Sequence, residues 1–519
     1  MIAILTAMLM IVFLSICAFT IDVGHWYVVG EQEQRAADAA ALAGVVNLPA
    51  DPVTAAAVAQ SFSRQNGFAS APAVSVQAVV ADKPTRLKVT VTSQVDNWFG
   101  ALLGVPTTAV TRTAVADYAG PVAMGSPCNE FGNDPSTDHV ASANCPSTGN
   151  FWANVGSLAS LKSFGDAFQD GVCNGADGCT GATNTDYSPN GYFYTVTLAK
   201  PIANFTVEAF DPAFVAVGDV CGPASGLNGP VGTLYEPGSA SPYCTGDVAY
   251  DSPAGSNVGN VQTEFAVRQA NALSTPWDPS SYPAIGGCTT DFPGYNQSLA
   301  NIQNSTWATG DPVKQALKSV FRKWVPLCKI LGTTPAGTYY IQVKTNGLGF
   351  DRAEGHNRFS LRAYSGLNAA DNASISISGN QRMGIYANLP GASTTFYLAR
   401  IPSSAAGHVL TVRLFDIGDS NVAGVVTVRA PDGSTPSGCT GIGPAPGPVL
   451  VGCSIVASAI FNGKWQSISV PVPSTYTCTD SDPTACWYKL NYSYGVGSQP
   501  SDTTSWTASL EGDPVRLVQ

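Results

Sequence analysis

Charged side chains are scarce in this sequence. Asp, Glu, Lys and Arg make up 12% of the 519 residues, and the acidic excess gives a net charge of −11. A soluble cytosolic domain carries roughly twice that share of charge. The chain contains no cluster of lysines and arginines, and nucleic acids are bound through such basic surfaces. Nucleic acid is therefore excluded as an expected partner.

Motifs of catalysis are also missing. The four histidines are scattered, and no H-E-x-x-H, G-x-S-x-G or P-loop pattern occurs. No C-x-x-C pair occurs either, which excludes the usual zinc-finger and thioredoxin spacings. The sequence predicts a protein that is not an enzyme and has no cofactor. A Ser/His/Asp triad assembled from distant positions stays open.

Turn-forming residues are abundant: the chain has 52 glycines and 36 prolines. Beyond residue 120 the apolar residues alternate with polar ones in short runs, which is typical of strands with one buried face. Gly, Pro, Asn and Asp separate the runs, as in Pro431-Asp432-Gly433. This pattern favours an antiparallel sandwich or jelly roll. The clearest runs are Tyr192–Leu198, Thr338–Lys344, Phe359–Tyr364, Val409–Phe415, Val425–Arg429 and Trp465–Val470.

Two stretches of the chain look like divergent copies of one unit. Phe205–Asp211 aligns with Leu410–Asp416, and Phe193-Tyr194 upstream of the first aligns with Phe396-Tyr397 upstream of the second. Such self-similarity is typical of an internal duplication. We therefore predict one β-sandwich copy in residues 121–366 and another in residues 367–519.

The cysteines indicate an oxidising compartment. There are thirteen, of which Cys17 lies in an apolar run and the other twelve lie farther along the chain. Disulfides persist outside the reducing cytosol. The plainest pairing joins sequence neighbours, although sequence does not prove connectivity. The candidate pairs are Cys128–Cys145, Cys173–Cys179, Cys221–Cys244, Cys288–Cys328, Cys439–Cys453 and Cys478–Cys486.

The N-terminus carries a long apolar run. Residues Ile2 to Ile21 contain no charge, and in a helix they rise about 30 Å, the thickness of a bilayer's hydrocarbon core. Good helix formers follow, so one rod is expected to continue to about Gly44. Trp26 and Tyr27 fall where interfacial aromatics sit. A cleaved secretory signal is disfavoured because no basic region precedes the run and no A-x-A site follows it.

A small helix-and-sheet region is predicted in residues 47–120. A second helix is expected at Thr54–Asn66, closed by Gly67. Alternating patterns predict strands at Val74–Val80, Leu87–Ser93 and Val110–Tyr118. The expected fold class is α+β. It comprises an N-terminal transmembrane helix with a pilin-like helix/sheet region, and then two mainly antiparallel, jelly-roll-like β-sandwiches.

The first 46 residues resemble the N-terminal module of TadE/TadG-like proteins of the Flp (tight adherence) pilus-assembly system. The resemblance rests on the apolar span, on Ile21-Asp22-Val23-Gly24, on Tyr27 and Gln34, and on the string Ala36–Gly44. It implies a single-pass membrane protein that acts in pilus assembly or anchoring as a non-catalytic scaffold. Its expected partners are the lipid bilayer and other pilus-assembly or pseudopilin proteins.

The orientation expected from the span and the cysteines is a cytoplasmic N-terminus with the bulk of the chain outside the cytoplasm. A second function class stays open. The chain could be a surface adhesin or carbohydrate-binding protein with a pilus-type anchor, and its partner would then be a surface glycan. Exposed tryptophans would serve such binding, but a core position is favoured for the tryptophans, Trp98 among them.

Two sets of residues are candidate sites. Asp211 with Asp219, and Asp416 with Asp419, follow predicted strands and could hold calcium, although ordinary loop solvation is the favoured interpretation. Ala36, Ala40 and Ala43 leave little bulk on the rod, so another helix could pack closely there. Helix propensity alone is the competing explanation of these alanines.

Overall fold

The computed structural model describes most of the chain, and all structural statements concern the described residues. These are residues 2–48, 52–82, 86–118, 122–134, 151–173, 183–211, 214–216, 247–249, 262–269, 279–292, 323–345, 355–388, 393–420, 422–443, 452–479, 484–495, 501–510 and 515–518, with isolated positions at 140, 306, 309–312, 315, 319, 320, 482 and 498.

The helices are α1 (Ile2–Val45) and α2 (Pro52–Gln65). The first strands are β1 (Val74–Val80), β2 (Arg86–Asp96), β3 (Thr107–Tyr118), β4 (Ala123–Met124), β5 (Glu130–Phe131), β6 (Phe151–Gly156), β7 (Tyr192–Leu198), β8 (Ile202–Phe210), β9 (Phe214–Ala216), β10 (Asp247–Ala249), β11 (Thr263–Gln269), β12 (Ala284–Phe292) and β13 (Trp324–Thr334). The later strands are β14 (Gly337–Lys344), β15 (Gly355–Ser365), β16 (Ile375–Asn380), β17 (Arg382–Asn388), β18 (Ser393–Arg400), β19 (Val409–Phe415), β20 (Gly424–Arg429), β21 (Thr440–Ile442), β22 (Ser454–Ala457), β23 (Trp465–Pro471), β24 (Trp487–Tyr494), β25 (Ser501–Leu510) and β26 (Val515–Leu517).

The contacts divide the chain into two compact units. The first contains Met1–Gly120 together with Gly512–Gln519, and we call it the N-terminal module. The second contains Pro121–Ala270 and Asp278–Glu511, and we call it the sandwich. The predicted fold class is confirmed: a long apolar helix comes first, and mostly antiparallel sheets follow.

In the N-terminal module, α1 and α2 pack on a four-stranded antiparallel sheet of order β1-β2-β3-β26. The predicted rod and the three predicted strands are all present, and β1 has its predicted bounds. The fourth strand comes from the far end of the chain, where Val515–Leu517 pairs with β3. A core of alanines, valines and leucines lies between the helices and the sheet.

The first part of α1 does not contribute to the core of the N-terminal module. Its large apolar side chains from Ile4 to Ile21 are exposed, and the helix is long and apolar enough to cross a membrane by length and composition. Asp22 is the first buried residue among the described side chains of α1.

The sandwich is built from two long sheets with an aromatic-rich core between them. One sheet has the path β13-β8-β15-β6-β17-β25-β19-β23-β21, and the other has the path β12-β11-β14-β7-β16-β4-β18-β24-β20-β22. Along these two paths, and apart from β21 at one edge, the strands of the two predicted copies occupy corresponding positions. In the first sheet, β13-β8-β15-β6 on one side matches β23-β19-β25-β17 on the other.

The two predicted copies share their sheets. Strand β16, from the second copy, pairs with β7 of the first, and β4, from the first copy, pairs with β18 of the second. Each copy therefore donates its first strand to the other. The boundary between residues 366 and 367 stays a prediction. Strands from both sides of this boundary pair with each other in the same sheets.

Candidate functional site

The site that the resemblance singles out is the part of α1 that follows the apolar run. Buried or half-buried positions recur along it at helical spacing, from Asp22 through Trp26, Gly30 and Glu33 to Ala37. This spacing places them on one face of the helix. The stripe lies on β2 and β3 of the module's own sheet.

Asp22 is the first anchor of the stripe. It is 3% exposed, and its carboxylate accepts backbone hydrogen bonds from Trp98 N (2.9 Å), Phe99 N (3.2 Å) and Gly100 N (2.7 Å). Burial raises the pKa of Asp22, whereas the three backbone donors and nearby His25 lower it. The lowering effects are larger in sum, so the pKa lies below the usual range. The charged carboxylate thus ties α1 to the connection between β2 and β3.

Further polar contacts follow up the helix. Trp26 Nε1 donates to Asn97 Oδ1 at 2.7 Å, and Asn97 in turn donates to Val105 O at 2.9 Å. Ser93 Oγ donates to the carboxylate of Glu33. Burial raises the pKa of Glu33, while Ser93 and the charge of Arg112 act in the opposite direction. Together these bonds set the register of the helix along β2.

The alanine string lies higher on the same helix. Ala36, Ala40 and neighbouring Ala41 are fully buried inside the module, whereas Ala43 is half-buried. At Gly44 a Cβ atom would stand 2.6 Å from Ala55 O of α2, so this position requires glycine. Close packing does use these small residues, but the described contacts are with the sheet and α2 of the same chain. Packing against a helix of another chain stays a prediction.

Of the candidate calcium residues, Asp219 lies outside the described residues. Asp211 and Asp416 are buried at the ends of β8 and β19, the corresponding strands of the two predicted copies. Asp416 has a backbone φ of 63° and accepts a hydrogen bond from Gly463 N. The structure places Asp419 beside Asp416, together with Asp502 of β25, which the sequence analysis did not identify.

Burial raises the pKa values of the acidic cluster formed by Asp416, Asp419 and Asp502. Burial raises the pKa of Asp502 to about 8 and that of Asp419 to about 6. Asp502 also accepts a hydrogen bond from Gly418 N at 3.1 Å. Across the described ranges no group of three His, Cys, Asp or Glu side chains is arranged to hold a metal ion. Calcium binding stays a prediction.

His356 is the buried histidine of the sandwich. It is 1% exposed, with Nδ1 3.3 Å from Asn154 Oδ1 and Nε2 3.1 Å from Asp170 Oδ2. Burial lowers its pKa to about 4. The neutral ring therefore joins β15 to β6 and to the loop that carries Asp170, and its burial suits a structural role.

Three disulfides match the predicted pairing of sequence neighbours: Cys288–Cys328, Cys439–Cys453 and Cys478–Cys486. Cys128 and Cys173 are also disulfide-bonded. The four remaining candidates, Cys145, Cys179, Cys221 and Cys244, lie outside the described residues. Cys17 is a free thiol on the exposed apolar part of α1.

The tryptophans divide between core and surface. Trp152, Trp487 and Trp506 are buried in the sandwich, as the favoured interpretation requires. That interpretation is wrong for Trp98, which is 60% exposed next to the end of the apolar run. Its ring stacks on His25 at a centroid distance of 4.7 Å. Trp98 lies in a turn that also contains Gly100 and Gly104, and this local signal could have identified a surface position.

The comparisons with known proteins agree with this location of the site. A model of the Flp pilus-assembly TadE/G-like family matches residues 1–59, which is the N-terminal helix and the start of α2. No curated protein matches the chain. The family match suggests involvement in Flp pilus assembly, and together with the apolar helix it suggests membrane anchoring.

Proposed function

We propose that this chain is a membrane-anchored, non-catalytic scaffold of Flp pilus assembly, with its bulk outside the cytoplasm. The observation that carries the proposal is the build of α1. One continuous helix has an exposed apolar half, and from Asp22 onward its other half is fastened to a small sheet. The family match covers this same element.

The fastening suits a mechanical role. Most of the stability of a helix in a protein comes from tertiary packing. This helix is held to its sheet by Asp22, Trp26 and Glu33 and by the buried alanines. The opposite face remains available, with Tyr27 66% exposed and Val28 54% exposed. We propose that this face contacts other pilus-assembly proteins just above the membrane.

The disulfides support the proposed orientation. Disulfides persist in oxidising compartments, and the bonds at Cys288–Cys328, Cys439–Cys453 and Cys478–Cys486 all lie in the sandwich. This supports the proposal that the N-terminus is cytoplasmic and the sandwich is extracytoplasmic. Protease added to spheroplasts should digest the sandwich, and protection until lysis would contradict the orientation.

The role in assembly is tested in a strain that makes Flp pili. Removing the chain should abolish or strongly reduce pili, and the full chain supplied in trans should restore them. A photo-reactive side chain at Tyr27 should cross-link to another pilus-assembly protein. The same group at Val53, 81% exposed on α2, is the matched control. Normal pili without the chain would overturn the proposal.

A further inference from the structure

The connection between β2 and β3 exposes an unusual number of apolar side chains. Residues 97–106 read Asn-Trp-Phe-Gly-Ala-Leu-Leu-Gly-Val-Pro and contain no charge; we call them the apolar loop. Leu102 is 82% exposed and Leu103 is 86% exposed, in addition to Trp98. A soluble surface rarely presents such a cluster unless something covers it.

The apolar loop is attached to α1. Strand β2 runs antiparallel to the stripe of α1, so that Leu87 lies by Gly44, Ser93 bonds Glu33, and Asn97 bonds Trp26. The next three backbone amides of the loop then bond Asp22. Strand β2 therefore runs along α1 towards its N-terminus, and the loop that follows β2 lies where the apolar run of α1 ends.

The loop is also held in one shape. Gly100–Leu103 forms a single 3-10 turn, closed by Gly104 with a φ of 85°. Within the turn, Leu102 N and Val105 N donate to the carbonyls of Phe99 and Gly100 at 3.1 and 3.0 Å. The leucines are therefore fixed outward by backbone bonds and do not fold back over the module's core.

We propose that the apolar loop inserts into the interfacial region of the bilayer beside the emerging helix, as a second membrane contact. This inference rests on the membrane anchoring proposed above. The apolar surface of the loop continues the apolar surface of residues 4–21 across the single polar anchor at Asp22. Trp98 then joins Trp26 and Tyr27 at the depth where aromatic side chains are enriched in membrane proteins.

The chemistry of the loop points to lipid chains rather than to charged headgroups. It has no Lys or Arg to attract anionic lipid, so insertion should follow from buried apolar area alone. We therefore expect the same insertion in zwitterionic vesicles and in vesicles that contain anionic lipid. Two attachments, the helix and the loop, would limit tilting and rotation of the module above the membrane.

The test places an environment-sensitive fluorophore in the full-length protein, reconstituted in phosphatidylcholine vesicles. One sample carries the label on native Cys17; the others carry it on Leu103→Cys or Val53→Cys in a Cys17→Ser background. The Cys17→Ser protein alone gives the labelling background. Val53 is the control, because it is an exposed apolar residue of the same module that lies far from the apolar run. Its helix α2 contacts α1 at Gly44, which is about 33 Å along α1 from Asp22. Nitroxide lipids quench from within the bilayer, and iodide quenches from water.

The label at position 103 should be blue-shifted, quenched most by a nitroxide near the headgroup, and several-fold less sensitive to iodide than the label at position 53. The label on Cys17 should be quenched by nitroxide lipid whether or not the apolar loop inserts into the bilayer. If position 103 is open to iodide while Cys17 is quenched by lipid, the inference fails and anchoring stands. If position 103 is shielded from iodide without lipid quenching, a protein covers the loop and the inference is also overturned. If Cys17 is not quenched by lipid, anchoring itself fails.

Discussion

The N-terminal module and the sandwich bury polar side chains in different ways. In the module, Asp22, Glu33 and Asn97 each join the helix to the sheet or to its β2–β3 connection. In the sandwich, His356 also joins elements, but some buried acids lie beside one another, as Asp416 and Asp502 do. Polar contacts between elements set register, whereas neighbouring buried carboxylates stay stable by keeping protons.

The two regions also differ in what crosslinks them. The three described disulfides all lie in the sandwich. The described part of the module has no disulfide and is closed by strand pairing between β26 and β3. A reducing agent should therefore lower the stability of the sandwich and leave the stability of the module unchanged.

The largest effect is expected from the longest described crosslink. Replacing both Cys288 and Cys328 by Ala frees a loop of 40 residues and should cost the sandwich roughly 4 kcal/mol in the chain-entropy account of disulfides. The shorter Cys478–Cys486 bond should cost roughly 2.5 kcal/mol by the same account. Denaturant titration of the paired variants measures both values. A module transition that shifts as far as the sandwich transition would break the comparison.

The acidic cluster should make the stability of the sandwich fall as the pH rises. The folded-state pKa of Asp502 is about 8 and that of Asp419 about 6, against an ordinary value of 3.8. A raised folded pKa means that the folded protein holds more protons, so this contribution is complete below the ordinary value and is lost as the pH passes 6 and then 8. Asp502→Asn should therefore flatten the fall in melting temperature between about pH 5 and pH 8.5.

The control for this pH dependence is Asp432→Asn. Hydrogen bonds from Ser434 lower the pKa of Asp432, so its titration lies below the window and the variant should keep the wild-type slope. Equal slopes in all three proteins would show that the cluster does not hold protons in the folded state.

A matched pair of glycines tests the close packing of the module. Gly44→Ala pushes a Cβ against Ala55 O and Leu87 and should destabilise the module by about 1–3 kcal/mol. Gly24, on the same helix, has nothing within 4 Å of its Cβ position. Gly24→Ala should stabilise the helix by up to about 1 kcal/mol, because alanine is the better helix former. Thermal unfolding of the two variants should thus shift in opposite directions, and shifts of the same sign would argue against the packing.

The smallest effect is local. Asp22→Asn keeps the shape of the side chain but loses the charge and one of the two acceptor oxygens, so hydrogen exchange should speed up at Trp98, Phe99 and Gly100. Asp38→Asn is the control, because Asp38 accepts a bond from Gln34 of its own helix. Unchanged exchange at Gly100 in the Asp22 variant would contradict the anchoring of the loop.

Much of the module could be predicted from sequence because its signals are local. The uncharged run, the helix formers after it and the alternation in Val74–Val80 each report on a few consecutive residues. From sequence, Asp22 was only one of the residues that carry the resemblance and had no assigned role. Its partners are amides of residues 98–100, more than seventy positions away, and no periodicity identifies them.

The same limit applies to the sandwich. The strands and the corresponding positions of Asp211 and Asp416 follow from pattern and self-similarity. The meeting of Asp416 with Asp502 depends on strands β19 and β25, which the chain brings together only in the folded sheet.

The sequence by itself predicted the apolar rod, nine of the described strands and the neighbour pairing at Cys288–Cys328, Cys439–Cys453 and Cys478–Cys486. Each of these depends on spacing within one segment, or on two nearby ones. Only the tertiary structure decided that the copies exchange β4 and β16, that β26 closes the module's sheet, and that the apolar loop lies at Asp22. Many similar alternating segments could pair with a given strand edge. Which segment pairs there is decided by the burial of the whole core, which a local pattern does not report.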